Sequence, residues 1–263
     1  MIDTMEVVVD TAAAGARRSG ETGRALVFVH GVGSTAAIWD SQLEAFGGEF
    51  RTAAIELRGN GALADPDPAL ITREGFARDV LAVADAAGFD TFTLVGCSLG
   101  GVVAFELWKR APERIDAMVI VGSFAQYPNA RAYADGVKAA AREAGDMATF
   151  GAVRAAKLGL PPDRTRVTID QMACKSIPCY LASTEATWTG DYRGVLPTIS
   201  VPVLVSRGER DVVATRELSD EITAGIPGAR YVEIPEAGHV ANADNPQAFN
   251  RELRAFLSEL PVR

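Results

Sequence analysis

Residues 96–100 of the sequence could carry nucleophilic chemistry. They read Gly-Cys-Ser-Leu-Gly, after the apolar, β-prone run 92–95 and at the start of a helix-compatible segment. The spacing G-x-S-x-G is typical of a nucleophile elbow, a strand-to-helix turn that holds the serine at positive φ and requires small neighbours. Ser98 is therefore a candidate nucleophile, and the Leu99 N–H at the helix start is a candidate donor to an oxyanion. The same residues also suit an ordinary glycine-rich turn of a parallel sheet.

A serine hydroxyl needs a base that removes its proton as it attacks. The sequence has two histidines, His30 and His239. His239 follows a predicted strand, beyond the carboxyl end where open α/β sheets gather their ligands. We predict that His239 is the base; the alternatives are a helix-capping or an exposed loop histidine. His30 lies in the glycine-rich loop 30–33, which we expect it to brace as a buried hydrogen-bonding group.

The base in turn needs an acid that fixes its tautomer and stabilises the imidazolium. Asp211 comes shortly after an apolar strand that ends at Ser206, and Glu209 lies two residues before it. Asp211 is the predicted acid and Glu209 is its rival. A surface carboxylate is the alternative interpretation of either residue.

Length and composition limit the class of protein. The chain has 263 residues, 48% of them hydrophobic, which fits one large α/β domain. Its net charge of −8 argues against nucleic acid or an anionic membrane as partner. We expect a cytoplasmic protein, because the N-terminal residues lack a signal-peptide core and no apolar run approaches the roughly 20 residues of a membrane helix. The three cysteines, Cys97, Cys174 and Cys179, indicate neither a disulfide framework nor a zinc site.

Strands and helices alternate along most of the chain. The predicted strands are 5–9, 25–29, 52–57, 92–95, 115–121, 201–206 and 230–234. The first predicted helix ends near residue 46, and the others are 71–87, 99–111, 216–226 and a last helix that opens at Asn245-Pro246. The residues after the first strand are rich in Ala, Gly and Arg and are expected to form a turn region. This rhythm predicts a mostly parallel sheet with helices on both faces.

Residues 123–195 interrupt this alternation. They are helix-prone and Ala-rich, and they are too many for a plain loop, so we predict a helical cap between core segments 1–122 and 196–263. Phe124, Tyr127 and Trp188 of this segment are expected to bind substrate together with Val240. An apolar wall with few charges would suit uncharged acyl groups better than a dianion, although charged residues of the cap could still reach inward. Aromatic residues of a cap also commonly pack in its core.

These features, in this order, resemble the α/β-hydrolase superfamily, and the resemblance extends from the His-Gly loop at residue 30 to the last helix. The sequence is most similar to small cap-bearing ester and lactone hydrolases of the 3-oxoadipate enol-lactonase type. The resemblance implies an α/β-hydrolase fold with the cap after its sixth strand. It implies Ser98, Asp211 and His239 as nucleophile, acid and base, in that chain order. The Val32 N–H, in the loop after the third strand, would be the second oxyanion donor beside Leu99.

Two departures from the family pattern concern the surroundings of the site. Cys97 stands where many relatives carry histidine before the nucleophile. Residues 56–63 replace the usual Asp-x-Arg-Gly-His-Gly-x-Ser pattern. The first bears on the pocket floor. The second bears on loop details and on the enol-lactone assignment, and not on the triad.

The sequence thus predicts a serine hydrolase that cleaves a small-molecule carboxylic ester or lactone through an acyl-enzyme, without a metal or an organic cofactor. One alternative is hydrolysis of a carbon–carbon bond in dienoate ring-cleavage products by the same triad. Another is a cofactor-free perhydrolase or haloperoxidase-type activity. A third is a slow-turnover ligand receptor that keeps an intact triad. A homo-oligomer is compatible with the sequence.

Overall fold

The computed structural model describes residues 2–63 and 65–261 and is built around one eight-stranded sheet. The strands are β1 (Asp3–Val9), β2 (Ala12–Ser19), β3 (Ala25–Val29), β4 (Arg51–Glu56), β5 (Phe92–Cys97), β6 (Ile115–Val121), β7 (Val203–Gly208) and β8 (Arg230–Ile234). Their order across the sheet is β1-β2-β4-β3-β5-β6-β7-β8. β2 runs antiparallel to both β1 and β4, and the five other pairings are parallel. The mostly parallel sheet predicted from the sequence is confirmed.

Helices cover both faces of this sheet. They are α1 (Asp40–Phe46), α2 (Arg73–Ala86), α3 (Leu99–Arg110), α4 (Ala130–Ala144), α5 (Met147–Lys157), α6 (Pro162–Ala173), α7 (Ile177–Trp188), α8 (Arg216–Gly225), α9 (Ala241–Asp244) and α10 (Pro246–Ser258). Side chains alternate along a strand, so Val27 and Val29 of β3 join the core under α2 and α3. Leu26 and Phe28 join the core under α1 and α10. This is the α/β-hydrolase arrangement that the sequence predicts. Among the described residues, no helix is long and apolar enough to cross a membrane.

The prediction of a turn region after the first strand is wrong, because Ala12–Ser19 form the second strand. The turn itself is confined to Asp10 and Thr11, both at positive φ, and it joins β1 and β2 as a two-residue hairpin. β2 pairs on both of its edges, with β1 and with β4, and its residues Ala12, Ala14 and Ala16 are buried. Arg17 reaches Asp40 of α1, with 2.7 Å between Nε and Oδ1. Pairing with residues distant in sequence therefore overrides the weak strand propensity of Ala, Gly and Arg.

Residues 123–195, which we call the insertion, lie between β6 and β7 and contain α4, α5, α6 and α7. α5 packs against α6, and α4 packs against α7. The insertion has no strand beyond an isolated antiparallel bridge between Gln126 and Asp191 near its two ends. That bridge brings the two ends of the insertion together. Its buried side chains join the core cluster that also contains residues of α2 and α3.

Candidate active site

Ser98 occupies the corner between β5 and α3. Its backbone has φ 53° and ψ −112°, a strained combination for a residue with a side chain. A Cβ atom on Gly96 would lie 2.3 Å from the Gly100 carbonyl oxygen, and one on Gly100 would lie 2.2 Å from the Val29 carbonyl oxygen. Only glycine fits at these two positions. The tight turn predicted from the spacing is therefore present, and it holds the Ser98 side chain at the carboxyl end of the sheet.

His239 connects Ser98 to Asp211 by hydrogen bonds. His239 Nε2 lies 3.1 Å from Ser98 Oγ, and His239 Nδ1 lies 2.9 Å from Asp211 Oδ2. Because an ionised carboxylate only accepts hydrogen bonds, Nδ1 carries the proton and the Nε2 lone pair faces the serine hydroxyl. Asp211 is itself fixed, since its Oδ1 accepts hydrogen bonds from the N–H groups of Val213 and Ala214. This arrangement can remove a proton from Ser98.

The carboxylate of Glu209 is occupied elsewhere. Its Oε2 accepts a hydrogen bond from the Glu236 N–H at 2.9 Å, and the residue is exposed. Glu209 therefore braces the turn that precedes the histidine loop. Of the two carboxylates considered from the sequence, the one that lies against His239 is that of Asp211.

Gly122, directly after β6, is a residue of this site that the sequence analysis did not identify. It has φ +51°, and a Cβ atom there would lie 2.9 Å from the His239 carbonyl oxygen and 3.1 Å from Asp211 Oδ2. The Asp211–His239 pair thus packs directly against the backbone of Gly122. A glycine immediately after a buried strand was the available signal.

Two backbone N–H groups near Ser98 have no acceptor among the described residues, those of Val32 and Leu99. Leu99 is the first residue of α3, so its N–H points out of the positive end of the helix. Val32 follows Gly31, where a Cβ atom would lie 3.2 Å from the Ser98 Cβ. Unpaired donors from two sides of a serine could stabilise an oxyanion formed on a carbonyl group attacked there.

His30 supports the loop that carries Val32. The ring is fully buried, and Nδ1 lies 2.9 Å from the Gly31 carbonyl oxygen, to which it can only donate. Nε2 then accepts a hydrogen bond from the Leu57 N–H at 3.3 Å. Both ring nitrogens of His30 therefore form hydrogen bonds with backbone groups.

Cys97, beside Ser98, is 1% exposed and packs in the sheet, although part of it reaches the floor of the cavity next to Ser98. Burial raises the pKa of its thiol, so the group stays protonated. Among the described residues, no three His, Cys, Asp or Glu side chains are grouped so that they could hold a metal ion.

A cavity opens beside Ser98 between the sheet and the insertion. From the sheet side it is lined by the Val32 loop, Ser98, His239 and Val240. From the insertion it is lined by residues of α5, α6 and the link between them, which include Arg154, Leu158, Arg164, Val167, Gln171 and Met172. A substrate bound at Ser98 would therefore contact the insertion.

Of the four residues expected to bind substrate, Val240 lines this cavity and Tyr127 lines a neighbouring one under α4 and α5. Phe124 and Trp188 line neither cavity. They are 1% exposed and stack on each other, with ring centroids 5.1 Å apart. The structure thus corrects the interpretation of these two rings, which pack the insertion onto the core, as large aromatic groups commonly do.

The expectation of a wall with few charges is also wrong. Arg154, Arg164 and Arg210 line the cavity, and none of the described residues that line it is Asp or Glu. Helical periodicity could not show which side of α5 and α6 faces Ser98, because that depends on how the helices of the insertion pack.

Comparisons with known proteins agree with the fold. The model of the alpha/beta hydrolase family matches residues 26–252. The 3-oxoadipate enol-lactonase 2 of Acinetobacter baylyi is 29% identical over 239 residues, which cover 89% of this chain and 88% of that protein. Carboxylesterase YbfK of Bacillus subtilis is 26% identical, over 88% of this chain and 79% of that protein. A crystal structure of a hydrolase from Pseudomonas aeruginosa has a TM-score of 0.87 at 30% identity and covers 97% of this chain and 98% of its own. The family model spans most of the sequence, and the chain therefore belongs to the alpha/beta hydrolase family.

Proposed function

We propose that this protein is a serine hydrolase that cleaves a carboxylic ester or lactone through an acyl-enzyme. Ser98 is the nucleophile, His239 the general base and acid, and Asp211 the group that holds the imidazole. The observation that carries this proposal is the hydrogen-bonded chain from Asp211 Oδ2 through the imidazole to Ser98 Oγ, with distances of 2.9 Å and 3.1 Å.

In the first half of the reaction, Ser98 Oγ attacks the carbonyl carbon and its proton passes to His239 Nε2. The oxyanion that forms is held by the N–H groups of Val32 and Leu99, and each such donor is worth about 10² to 10³ in rate in comparable enzymes. The bond to the leaving oxygen then breaks, and His239 returns its proton to that oxygen. In a lactone the leaving alcohol stays attached to the acyl group.

In the second half, a water molecule takes the place of the leaving alcohol. His239 removes one of its protons as the oxygen attacks the ester carbonyl on Ser98. The second oxyanion collapses, the bond to Ser98 Oγ breaks, and the proton on His239 goes to the serine. The carboxylic acid leaves, and the protein returns to its starting state without a cofactor.

The insertion acts as a cap in this proposal, with residues 1–122 and 196–263 as the catalytic core. α5 and α6 supply part of the wall of the cavity that His239 also lines, so they would select a small-molecule substrate. The similarity to an enol-lactonase and a carboxylesterase supports ester and lactone bonds over a carbon–carbon bond, a perhydrolase reaction or a receptor role.

A panel of p-nitrophenyl esters and simple lactones tests the proposal. The wild type should hydrolyse at least one of them, and Ser98→Ala should lose that activity. A fluorophosphonate should add its mass to the wild type and not to the variant. As a control, Ser258→Ala, on the exposed end of α10, should behave like the wild type.

Two outcomes would contradict the proposal. Turnover that survives Ser98→Ala would remove Ser98 from the reaction. Fluorophosphonate labelling together with equally slow turnover of every ester and lactone would favour the carbon–carbon hydrolase or the receptor instead.

A further inference from the structure

The walls of the cavity beside Ser98 differ in charge from the protein as a whole. The chain carries a net charge of −8, yet Arg154, Arg164 and Arg210 line the cavity. No carboxylate of the described residues lines it. A positive cavity in an acidic protein attracts small anions while the rest of the surface repels them.

The charges of these three arginines are not equally available. Arg164 is compensated, because its Nε lies 3.2 Å from Asp244 Oδ1. Arg210 lies on the exposed rim, and its side chain pairs with no described carboxylate. Arg154 is half-buried on α5, and the partner of its guanidinium is neutral: Nη1 donates a hydrogen bond to the Tyr180 hydroxyl at 2.7 Å.

Tyr180 keeps Arg154 in place without neutralising it. The tyrosine is 1% exposed, and its ring packs edge-on against Phe150 with centroids 5.3 Å apart. One of the five N–H donors of the guanidinium is used in this contact, and the others stay free to bind a ligand. A half-buried cation without a counter-ion is costly, and an anionic ligand would supply that counter-ion.

Arg154 also lies between two cavities. Arg154, Leu158 and Val212 line the cavity beside Ser98, and the same three residues line the neighbouring cavity under α4 and α5. A ligand group bound by Arg154 would thus lie against the wall of the Ser98 cavity that α5 forms. An acyl chain with its ester carbonyl at Ser98 could reach that group with its other end.

We propose that Arg154, with Arg210 at the rim, binds a carboxylate of the substrate, so that the protein favours esters or lactones that carry a second, anionic group. A planar guanidinium matches the two oxygens of a carboxylate, which favours this anion. This inference rests on the proposed hydrolase function and replaces the uncharged substrate that the sequence suggested.

A pair of esters of equal shape tests the inference. Monoethyl glutarate and ethyl 5-methylhexanoate have the same length and branching, and they differ in a carboxylate in place of an isopropyl group. We expect the wild type to have a kcat/KM at least about tenfold higher for the anionic ester. A charged hydrogen bond is worth about 1.5 to 3 kcal/mol, so Arg154→Gln should lower kcat/KM for that ester about 10- to 100-fold. The same variant should lose much less of its rate on the neutral ester, so the preference of the wild type for the anionic ester should fall.

The matched controls are Arg166→Gln and Arg154→Lys. Arg166 is an exposed arginine of α6 that does not line the cavity, so its substitution should leave both rates unchanged. Arg154→Lys keeps the charge without the planar fork, so it should restore part of the preference. Equal kcat/KM for the two esters in the wild type, or an equal loss on both in Arg154→Gln, would overturn the inference while leaving the serine hydrolase intact.

A binding measurement separates the two proposals if neither ester is hydrolysed. Calorimetric titration with glutarate should show binding to the wild type and to Ser98→Ala, and at least about tenfold weaker binding to Arg154→Gln. That result would support the anion site even if the hydrolase proposal failed. Absence of glutarate binding to the wild type would overturn the anion site.

Discussion

Lys175 Nζ donates a hydrogen bond to the Ser34 carbonyl oxygen at 3.0 Å and thereby ties the insertion to the loop that carries Val32. It also donates to the side-chain oxygen of Asn60. Gln171 reaches the same loop, because its Oε1 accepts a hydrogen bond from Ser34 Oγ at 3.0 Å. The insertion therefore holds one of the two candidate oxyanion donors in place as well as covering the cavity.

The buried ammonium group of Lys175 should make stability depend on pH. Burial lowers its pKa from 10.5 to about 8, against the opposing influence of the Glu56 carboxylate. Between these two pH values the unfolded chain binds a proton that the folded protein does not, so the free energy of unfolding rises with pH. The rise should amount to about 3 kcal/mol. The other titratable groups around this ammonium are those of Asp65, Cys174 and Cys179.

Lys175→Met isolates this contribution. The wild type and the variant should be unfolded with urea across this pH range. As the pH rises, the unfolding free energy of the wild type should increase relative to that of the variant. Lys157→Met replaces an exposed lysine and should give a difference that does not change with pH in this way. A flat difference for Lys175→Met would mean that the ammonium is not desolvated in solution.

Replacement of Asp211 by Asn should lower kcat about 10⁴-fold. The Asn oxygen would keep the hydrogen bonds from the Val213 and Ala214 N–H groups, so its NH₂ group would face His239 Nδ1. Nδ1 would then have to accept, and Nε2 would present a proton instead of a lone pair to Ser98. Steady-state kinetics on the ester identified in the panel measures the loss.

The matched control is Glu209→Gln, which removes the rival carboxylate. It should keep kcat within about threefold, because Glu209 contacts the Glu236 backbone and not the imidazole. A large loss for Glu209→Gln together with a near-normal Asp211→Asn would reverse the assignment of the acid.

The central strands could be predicted because the signal for each of them lies in its own residues. Ala25–Val29 and Ile115–Val121 have the same bounds in the structure as in the sequence analysis, since both strands are buried on two faces and read as continuous apolar runs. Ala12–Ser19 could not be identified in this way. Its strand character comes from pairing on both edges, and nothing in its own residues favours a strand over a turn.

The same distinction applies to the site. Ser98 could be located from the sequence because the geometry of its turn depends on residues within two positions of it. The side of the cavity formed by Arg154 and Arg164 could not, because it depends on how four helices of the insertion pack on each other and on the sheet. The same packing directs Phe124 and Trp188 into the interior, which the sequence pattern could not distinguish from a cavity wall.

Gly122→Ala should impair activity more than folding. The added Cβ atom would press on the His239 carbonyl oxygen and on Asp211 Oδ2, which it would approach to 2.9 Å and 3.1 Å. A displacement of this kind near the reacting groups can cost about 100-fold in rate. Thermal unfolding and steady-state kinetics should be measured on the same preparation.

Gly145→Ala is the control for backbone strain alone. Gly145 also has positive φ, at +79°, but a Cβ atom there would meet nothing within 4 Å. Both variants should therefore lose about 1 to 2 kcal/mol of stability from the left-handed conformation, and only Gly122→Ala should lose activity. Equal activity of the two variants would mean that the Asp211–His239 pair can move away from residue 122 without loss of function.

Arg58 and Asp79 form an ion pair whose two side chains are fully buried, and Arg58 Nη2 lies 2.6 Å from Asp79 Oδ1. Asp79 also accepts a hydrogen bond from the Arg58 backbone N–H, so the pair fixes the loop that follows β4. Removing one partner leaves the other charge buried without compensation, and Asp79→Ala should cost about 3 to 5 kcal/mol in urea denaturation. Asp220→Ala breaks an exposed pair with Arg216 on α8 and should cost less than about 1 kcal/mol. If the two variants lost the same stability, the Arg58 charge would have to be compensated by Asp10, whose Oδ2 lies 3.5 Å from Arg58 Nη2.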